Sequence, residues 1–149
     1  MLPDRTVSVA SLVMHSMAPA MPREPAHVAR EYVEAVGDKK LRKIEALLAP
    51  DVEYSGPAMT LSSAAEVLTA LRRIGALLVR NEIRRVFADG SEACVIYDFV
   101  SDTAIGTVPT VEWLRIEGGR IRCVKLYYDR APWLTVATEL GPRVAQANG

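Results

Sequence analysis

LLVRNEIRRVFADGSEACVIYDFVSDTAIGTVPTVEWLRIEGGRIRCVKLYYD occupies residues 77–129 and contains four runs rich in β-branched and aromatic residues. The runs cover residues 77–88, 92–102, 106–117 and 120–129. Asp89-Gly90 separates the first two and Glu117-Gly118-Gly119 the last two, and both are typical hairpin turns. The pattern therefore predicts consecutive antiparallel strands.

Three helices are predicted ahead of these strands. Residues 25–36 place Val28, Tyr32 and Val36 on one helical face, so the first helix carries an inward tyrosine. Residues 41–48 form a second apolar stripe, and Ser63 to Glu66 resembles a capping box that opens the third helix. Helices in front and strands behind predict an α+β fold in which three helices cover one face of a curved sheet.

The composition is that of one soluble domain. The chain has 149 residues, and 18 Lys plus Arg cancel 18 Asp plus Glu, so we expect no nucleic-acid partner. No apolar run approaches the ~20 residues that span a bilayer, and we expect no membrane partner. We predict a domain over residues 25–135, a flexible N-terminal arm over 1–24 and a C-terminal tail over 136–149.

Cofactor motifs are missing from the sequence. Two cysteines, Cys94 and Cys123, and two histidines have no metal-ligand spacing, so no metal is predicted. Neither a Gly-rich phosphate loop nor a dinucleotide fingerprint occurs, so no cofactor is predicted. Both cysteines sit in apolar runs as small buried thiols would, and a cytoplasmic location is the expectation.

The order of elements resembles one family. AREYVEAVGDKKLRKIEALLAPDVEY (29–54), a helix, four strands, the EGGRI turn (117–121) and LYYD (126–129) together resemble the SnoaL-like branch of the nuclear transport factor 2-like superfamily. The resemblance implies a cone-shaped mixed sheet closed by helices, an apolar pocket at one end and a homodimer. It does not imply one reaction, because the fold hosts several chemistries.

Two catalytic sets of that superfamily are incomplete here. Compared with ketosteroid isomerases, Tyr32 falls on the hydrogen-bond donor, but Gly56 and Val111 fall on the two acids. Compared with limonene epoxide hydrolases, Tyr54 matches the water-holding tyrosine, while Gly56 and Leu126 replace an asparagine and an aspartate. Asp98 lies roughly where the arginine of that set stands.

A pocket lining is predicted from the strand period of two. If Leu126 faces inward, Val124 and Tyr128 do so as well, and the same parity assigns Val111 and Trp113 of the neighbouring strand to the pocket. Tyr32 of the first helix and Tyr54 of a brief strand predicted for DVEYS (51–55) add to this lining. Such an apolar and aromatic lining with a few hydroxyls is typical of a site for a small apolar ligand.

Asp98 is the candidate proton-transfer residue because it is an acid within the apolar run CVIYDFV (94–100). If buried, its raised pKa would suit a general acid or base. Its facing stays open, since Ile96, Asp98 and Val100 share one face and Val95, Tyr97 and Phe99 the other.

Two functions compete on this sequence. One is an acid–base enzyme, a cyclase, isomerase or hydrolase for an apolar polycyclic or polyketide-like substrate, in which Asp98 moves the proton and Tyr32 or Tyr54 stabilises charge. The other is a non-catalytic binding or dimerisation module. A homodimer through the outer sheet face is expected because that face is predicted to be apolar. Its predicted residues are Leu114, Ile116, Cys123, Lys125 and Tyr127.

Overall fold

A computed structural model describes residues 23–135 of the chain. The helices are α1 (Pro25–Gly37), α2 (Leu41–Leu47), α3 (Ala64–Gly75) and α4 (Ala131–Thr135). The strands are β1 (Leu48–Ser55), β2 (Thr60–Leu61), β3 (Leu78–Asp89), β4 (Glu92–Ser101), β5 (Thr107–Glu117) and β6 (Arg120–Tyr128). The predicted α+β class is confirmed.

Within these residues the strands form a six-stranded sheet in the order β2-β1-β6-β5-β4-β3. The strands β3 to β6 pair as antiparallel neighbours, as the two hairpin signals predict. β1 joins β6 in parallel, so the sheet is mixed. Because β2 and β3 end the strand order, the sheet has two edges and is not closed.

The helices bury one face of this sheet. α1 packs against β3 and β4, and its Val28, Ala29 and Tyr32 are fully buried. α3 contacts β1 and begins at the predicted capping box, where Ser63 Oγ accepts from the Glu66 N–H at 3.2 Å. The Glu66 carboxylate in turn accepts from the Ser62 N–H at 2.8 Å. The first bond satisfies an N–H group that the helix start leaves free, and the second ties the residue before the N-cap to the first turn.

A β-bulge in β6 decides which residues face the core. Ile116 pairs with Ile121, whereas Arg115 pairs with Cys123, so Arg122 is an extra residue between the two pairs. A bulge shifts the pairing register by one residue, and in a strand such a shift exchanges the two faces. Beyond the bulge, Leu114 is opposite Val124 and Glu112 is opposite Leu126.

Several predictions fall outside or at the margin of the described part. The predicted arm over residues 1–24 lies outside it except for its last two residues, and the tail over 136–149 lies wholly outside. Among residues 23–135, no helix is long and apolar enough to cross a membrane.

Candidate active site

A cavity of about 130 Å³ lies between the helices and the inner face of the sheet. Each strand from β3 to β6 contributes inward side chains to its wall, and α1 and α3 cover it. The wall is mostly apolar and aromatic. Its residues are Val36, Tyr54, Gly56, Ala58, Met59, Leu71, Ile74, Asn81, Tyr97, Phe99, Thr110, Glu112, Leu126, Tyr128 and Trp133.

Glu112 of β5 is the acidic residue of this wall, and its side chain is buried with 4% of the residue exposed. The Tyr97 hydroxyl donates to Glu112 Oε1 at 2.8 Å. The other oxygen, Oε2, is buried and has no hydrogen-bond partner among the described residues. A carboxyl group with one satisfied and one free oxygen is able to exchange a proton with a bound molecule.

Burial raises the pKa of Glu112 from its ordinary 4.5 to about 7, and the hydrogen bond from Tyr97 opposes part of that rise. Burial disfavours the charged carboxylate, and the described wall residues include no lysine, arginine or histidine that would stabilise it. Both the protonated and the ionised form are therefore populated near neutral pH.

Three tyrosines surround this carboxyl group. Burial, and then the neighbouring Glu112, raise the pKa of Tyr32, Tyr54 and Tyr97 well above the ordinary value of 10. Their hydroxyls stay protonated and can act as hydrogen-bond donors. The Tyr32 hydroxyl is buried and finds no partner within residues 23–135, so a second free polar group lies close to Glu112.

Aromatic residues and one amide form the less buried end of the cavity. Trp133 of α4 packs on Phe99 with ring centroids 5.1 Å apart and on Tyr128 at 5.8 Å. Asn81 of β3 is opposite Phe99 in the sheet. The cavity thus has an acidic end at Glu112 and an aromatic end at Trp133.

Gly56 lies on the cavity wall without a side chain, and Leu126 fills the adjacent space. A Cβ at Gly56 would lie 3.2 Å from Leu126 Cβ, closer than ordinary contact. Gly56, where the resemblance aligns one acid of the ketosteroid isomerases, and Leu126, where it aligns an aspartate of the epoxide hydrolases, therefore lie side by side.

The structure places the predicted pocket residues as follows. Tyr54, Leu126 and Tyr128 line the cavity. Val124 is fully buried on the same face of β6, and Tyr32 is fully buried on α1 behind the wall.

No group of three or more His, Cys, Asp or Glu able to hold a metal occurs between residues 23 and 135.

The predicted inward facing of Val111 and Trp113 is wrong. Both lie on the outer face of β5, and Trp113 is 41% exposed. Continuing the pairing from the 117–120 turn without a bulge would put Val111 opposite Leu126, but Arg122 shifts the register by one residue. The same shift moves Leu114 and Ile116, predicted for the outer face, into the core.

Asp98 lies on the outer face of β4 and does not line the cavity. Arg84 of β3 donates from its Nε to Asp98 Oδ2 at 2.9 Å. The sequence left the facing of this strand undecided, and in the structure Tyr97 and Phe99 face the cavity. The position of Asp98 therefore gives no support to its predicted catalytic role.

Glu112 is the site residue that sequence reasoning missed. A signal is present, because Val108, Thr110, Glu112, Leu114 and Ile116 alternate along β5 and form one face with a single acid among uncharged residues. The neighbouring outer face contains Val111 and Trp113, whose apolar side chains hide this alternation.

Comparison with known proteins identifies relatives by family and by fold. The family model of the SnoaL-like domain matches residues 29–124. No curated protein is significantly similar to the chain.

Three solved structures illustrate the shared fold. A protein from Kribbella flavida superposes with a TM-score of 0.71 at 21% identity and covers 83% of this chain and 97% of its own. A candidate ketosteroid isomerase from the same organism gives 0.61 at 22% identity, with 70% and 77% covered. An LEH-like epoxide hydrolase from M. tuberculosis gives 0.63 at 17% identity, with 74% and 86% covered. At these identities the likeness is one of fold.

Proposed function

The chain belongs to the SnoaL-like domain family, whose model matches residues 29–124, and we propose that it is an acid–base enzyme for a small apolar molecule with Glu112 as its proton-transfer residue. The observation that carries the proposal is a carboxyl group buried in a cavity, with one oxygen hydrogen-bonded to Tyr97 and the other without a partner among residues 23–135. Isomerisation, cyclisation and hydrolysis are the reactions that one such group supports.

The proposed proton transfer uses each group in one role. Ionised Glu112 accepts a proton from the bound molecule at Oε2 and returns it at another position of the product. Tyr97 stays hydrogen-bonded to Oε1 during the proton transfer and so fixes the orientation of the carboxyl group. Neutral Tyr54, on the cavity wall, donates to the charge that develops on the substrate.

The cavity size limits the part of the substrate that enters. An engineered protein cavity of about 150 Å³ accommodates benzene, so 130 Å³ suits one ring or a short branched chain. A polycyclic or polyketide-like substrate would insert one ring and leave the rest outside. We therefore place the reacting atoms on a single ring-sized portion.

A matched pair of variants tests this proposal. Glu112→Gln keeps the shape of the side chain and removes its proton chemistry, whereas Asp98→Asn makes the same change on the outer face. Both are screened with wild type by thermal shift against cyclic ketones, epoxides and small aromatic compounds, and each stabilising compound is then analysed for products.

We expect ligand binding in all three proteins, and turnover lower by about 100-fold or more only in Glu112→Gln, the usual minimum for a lost general acid or base. Turnover that survives Glu112→Gln would contradict the proposed role. Binding without turnover in wild type would instead favour the alternative, a non-catalytic ligand-binding module.

A homodimer through the outer face of the sheet is the second part of the proposal. Phe87, Trp113 and Tyr127 lie on that face and are 57%, 41% and 52% exposed. Aromatic side chains this exposed on one face are typical of an interface. Sizing at micromolar concentration should give a dimer that the double change Trp113→Glu and Tyr127→Glu dissociates.

Arg73→Glu, on the exposed surface of α3, serves as the control for this test and should leave the dimer intact. Elution of wild type as a monomer would contradict the dimer and leave the proposal for Glu112 unaffected.

A further inference from the structure

Asn81 presents an acceptor of fixed direction at the aromatic end of the cavity. Its Nδ2 donates to the Val33 carbonyl oxygen of α1 at 3.1 Å, which assigns the two ends of the amide. Its Oδ1 is buried and accepts no hydrogen bond from any described residue. A buried unpaired acceptor costs free energy that a ligand donor would recover.

Trp133 presents a donor at the same end. Its indole Nε1 is buried, and residues 23–135 supply no acceptor for it. The Trp133 ring packs on Phe99 at 5.1 Å, and Asn81 is the cross-strand partner of Phe99. Cross-strand partners have Cβ atoms about 4.5–5.5 Å apart, so the free acceptor and the residue with the free donor both adjoin Phe99.

From this pair we propose that the substrate carries a hydroxyl group which donates to Asn81 Oδ1 and accepts from Trp133 Nε1. A hydroxyl is the smallest group that does both, whereas a carbonyl only accepts and an ammonium only donates. The inference rests on the proposed function in using the same cavity, but it concerns recognition at the end away from Glu112.

The substrate class is accordingly a ring-sized apolar molecule with a hydroxyl at one end and its reacting atoms toward the other. Asn81 and Trp133 would select against analogues without the hydroxyl, because such analogues leave both buried groups unpaired. Glu112 takes no part in this selection.

The test compares 4-methylphenol with 4-fluorotoluene, two rings of similar size of which only the first has a hydroxyl. Affinities are measured by NMR titration of ¹⁵N-labelled full-length protein. The indole N–H signal of Trp133 reports directly on its hydrogen bond, and the signal of Trp113 on the outer face is the internal control. Trp133→Phe assigns the two signals and removes the proposed donor while keeping an aromatic ring.

We expect 4-methylphenol to bind at least about 10-fold more tightly, the effect of one buried hydrogen bond pair. The Trp133 indole proton should move downfield with this ligand while that of Trp113 stays in place. In Trp133→Phe and in Asn81→Leu the preference for the hydroxyl should fall several-fold, whereas Glu112→Gln should retain it.

Equal affinities, binding of neither compound, or a preference that survives both Trp133→Phe and Asn81→Leu would overturn the inference. Loss of turnover in the Glu112 experiment with an intact hydroxyl preference supports both proposals. A hydroxyl preference in a protein without any turnover supports this inference and contradicts the enzymatic proposal.

Discussion

Asp98 and Glu112 are carboxylic acids on the neighbouring strands β4 and β5, and they lie on opposite faces of the same sheet. On the outer face Asp98 pairs with Arg84, whose side chain is 58% exposed. On the inner face Glu112 is buried, bonds to a neutral tyrosine and has a pKa of about 7. The two acids differ in burial and in the charge of the neighbouring side chain. These differences make the environment of Glu112, and not that of Asp98, suited to proton transfer at neutral pH.

The largest contrast between the two faces should appear in stability. Leu114→Ala removes a fully buried side chain from the inner face and should lower the free energy of unfolding by about 2–5 kcal/mol. Val111→Ala, on the half-buried outer side of the same strand, should cost about 1 kcal/mol or less. Urea unfolding of both variants measures this, and equal losses would contradict the assignment of faces.

The second contrast lies in the pH dependence of stability. The folded-state pKa of Glu112 is raised from 4.5 to about 7, so between these values the folded protein binds more protons than the unfolded chain. The contribution of Glu112 to the free energy of unfolding is therefore fully present below pH 4.5 and is lost as the pH rises through the folded-state pKa of about 7. The loss is on the order of 3 kcal/mol.

Urea unfolding at pH 5 and pH 8 checks this expectation. The titratable groups that interact electrostatically with Glu112 are Tyr32, Tyr54 and Tyr97, which stay neutral over this interval, so the titration of Glu112 should dominate the local effect. Glu112→Gln should lose less stability than wild type over this interval, and Asp98→Asn should follow wild type. A wild-type curve parallel to that of Glu112→Gln would show that the carboxyl titrates as in water.

A smaller effect is expected from Tyr97→Phe. The Tyr97 hydroxyl donates to Glu112 and opposes the rise of its pKa, so its removal should raise the pKa of Glu112 by about one further unit. NMR titration of the ¹³C-labelled carboxyl group measures the shift. A decrease in the pKa would mean that water replaces the hydroxyl as a donor.

The smallest effect is expected from breaking the outer pair. Asp98→Asn removes the charge opposite Arg84. The Asp98 side chain is 16% exposed and that of Arg84 58%, so water reaches the guanidinium and screens the pair, and stability should change little and less still in high salt. Thermal unfolding at low and high ionic strength checks this. A large, salt-independent loss would place Asp98 in a buried environment and remove the contrast with Glu112.

Most of the fold was accessible from sequence because its signals are local. The hairpin turns at Asp89-Gly90 and Glu117-Gly119 require left-handed backbone conformations, and Gly90, Gly118 and Gly119 have positive φ values. The capping residues Ser63 and Glu66 likewise act within four positions of each other. Such features need no knowledge of distant contacts.

The candidate site was less accessible because it depends on register. One extra residue, Arg122, decides that Glu112 rather than Val111 is opposite Leu126. No turn or glycine marks this bulge in the run RIRCVKLYY (120–128). Without this bulge Val111 would be opposite Leu126, so an assignment of the β5 faces that starts from an inward Leu126 and omits the bulge is reversed.

The sequence by itself determined the α+β class, the strand order along the chain and the SnoaL-like family, because turns, caps and hydrophobic periods are short-range properties. Only the tertiary structure decided which acid is inside. Strand pairing brings residues 97 and 112 together, and burial between helices and sheet then changes the protonation of the carboxyl group. Register and desolvation arise from contacts between distant segments, so they became visible only in the folded chain.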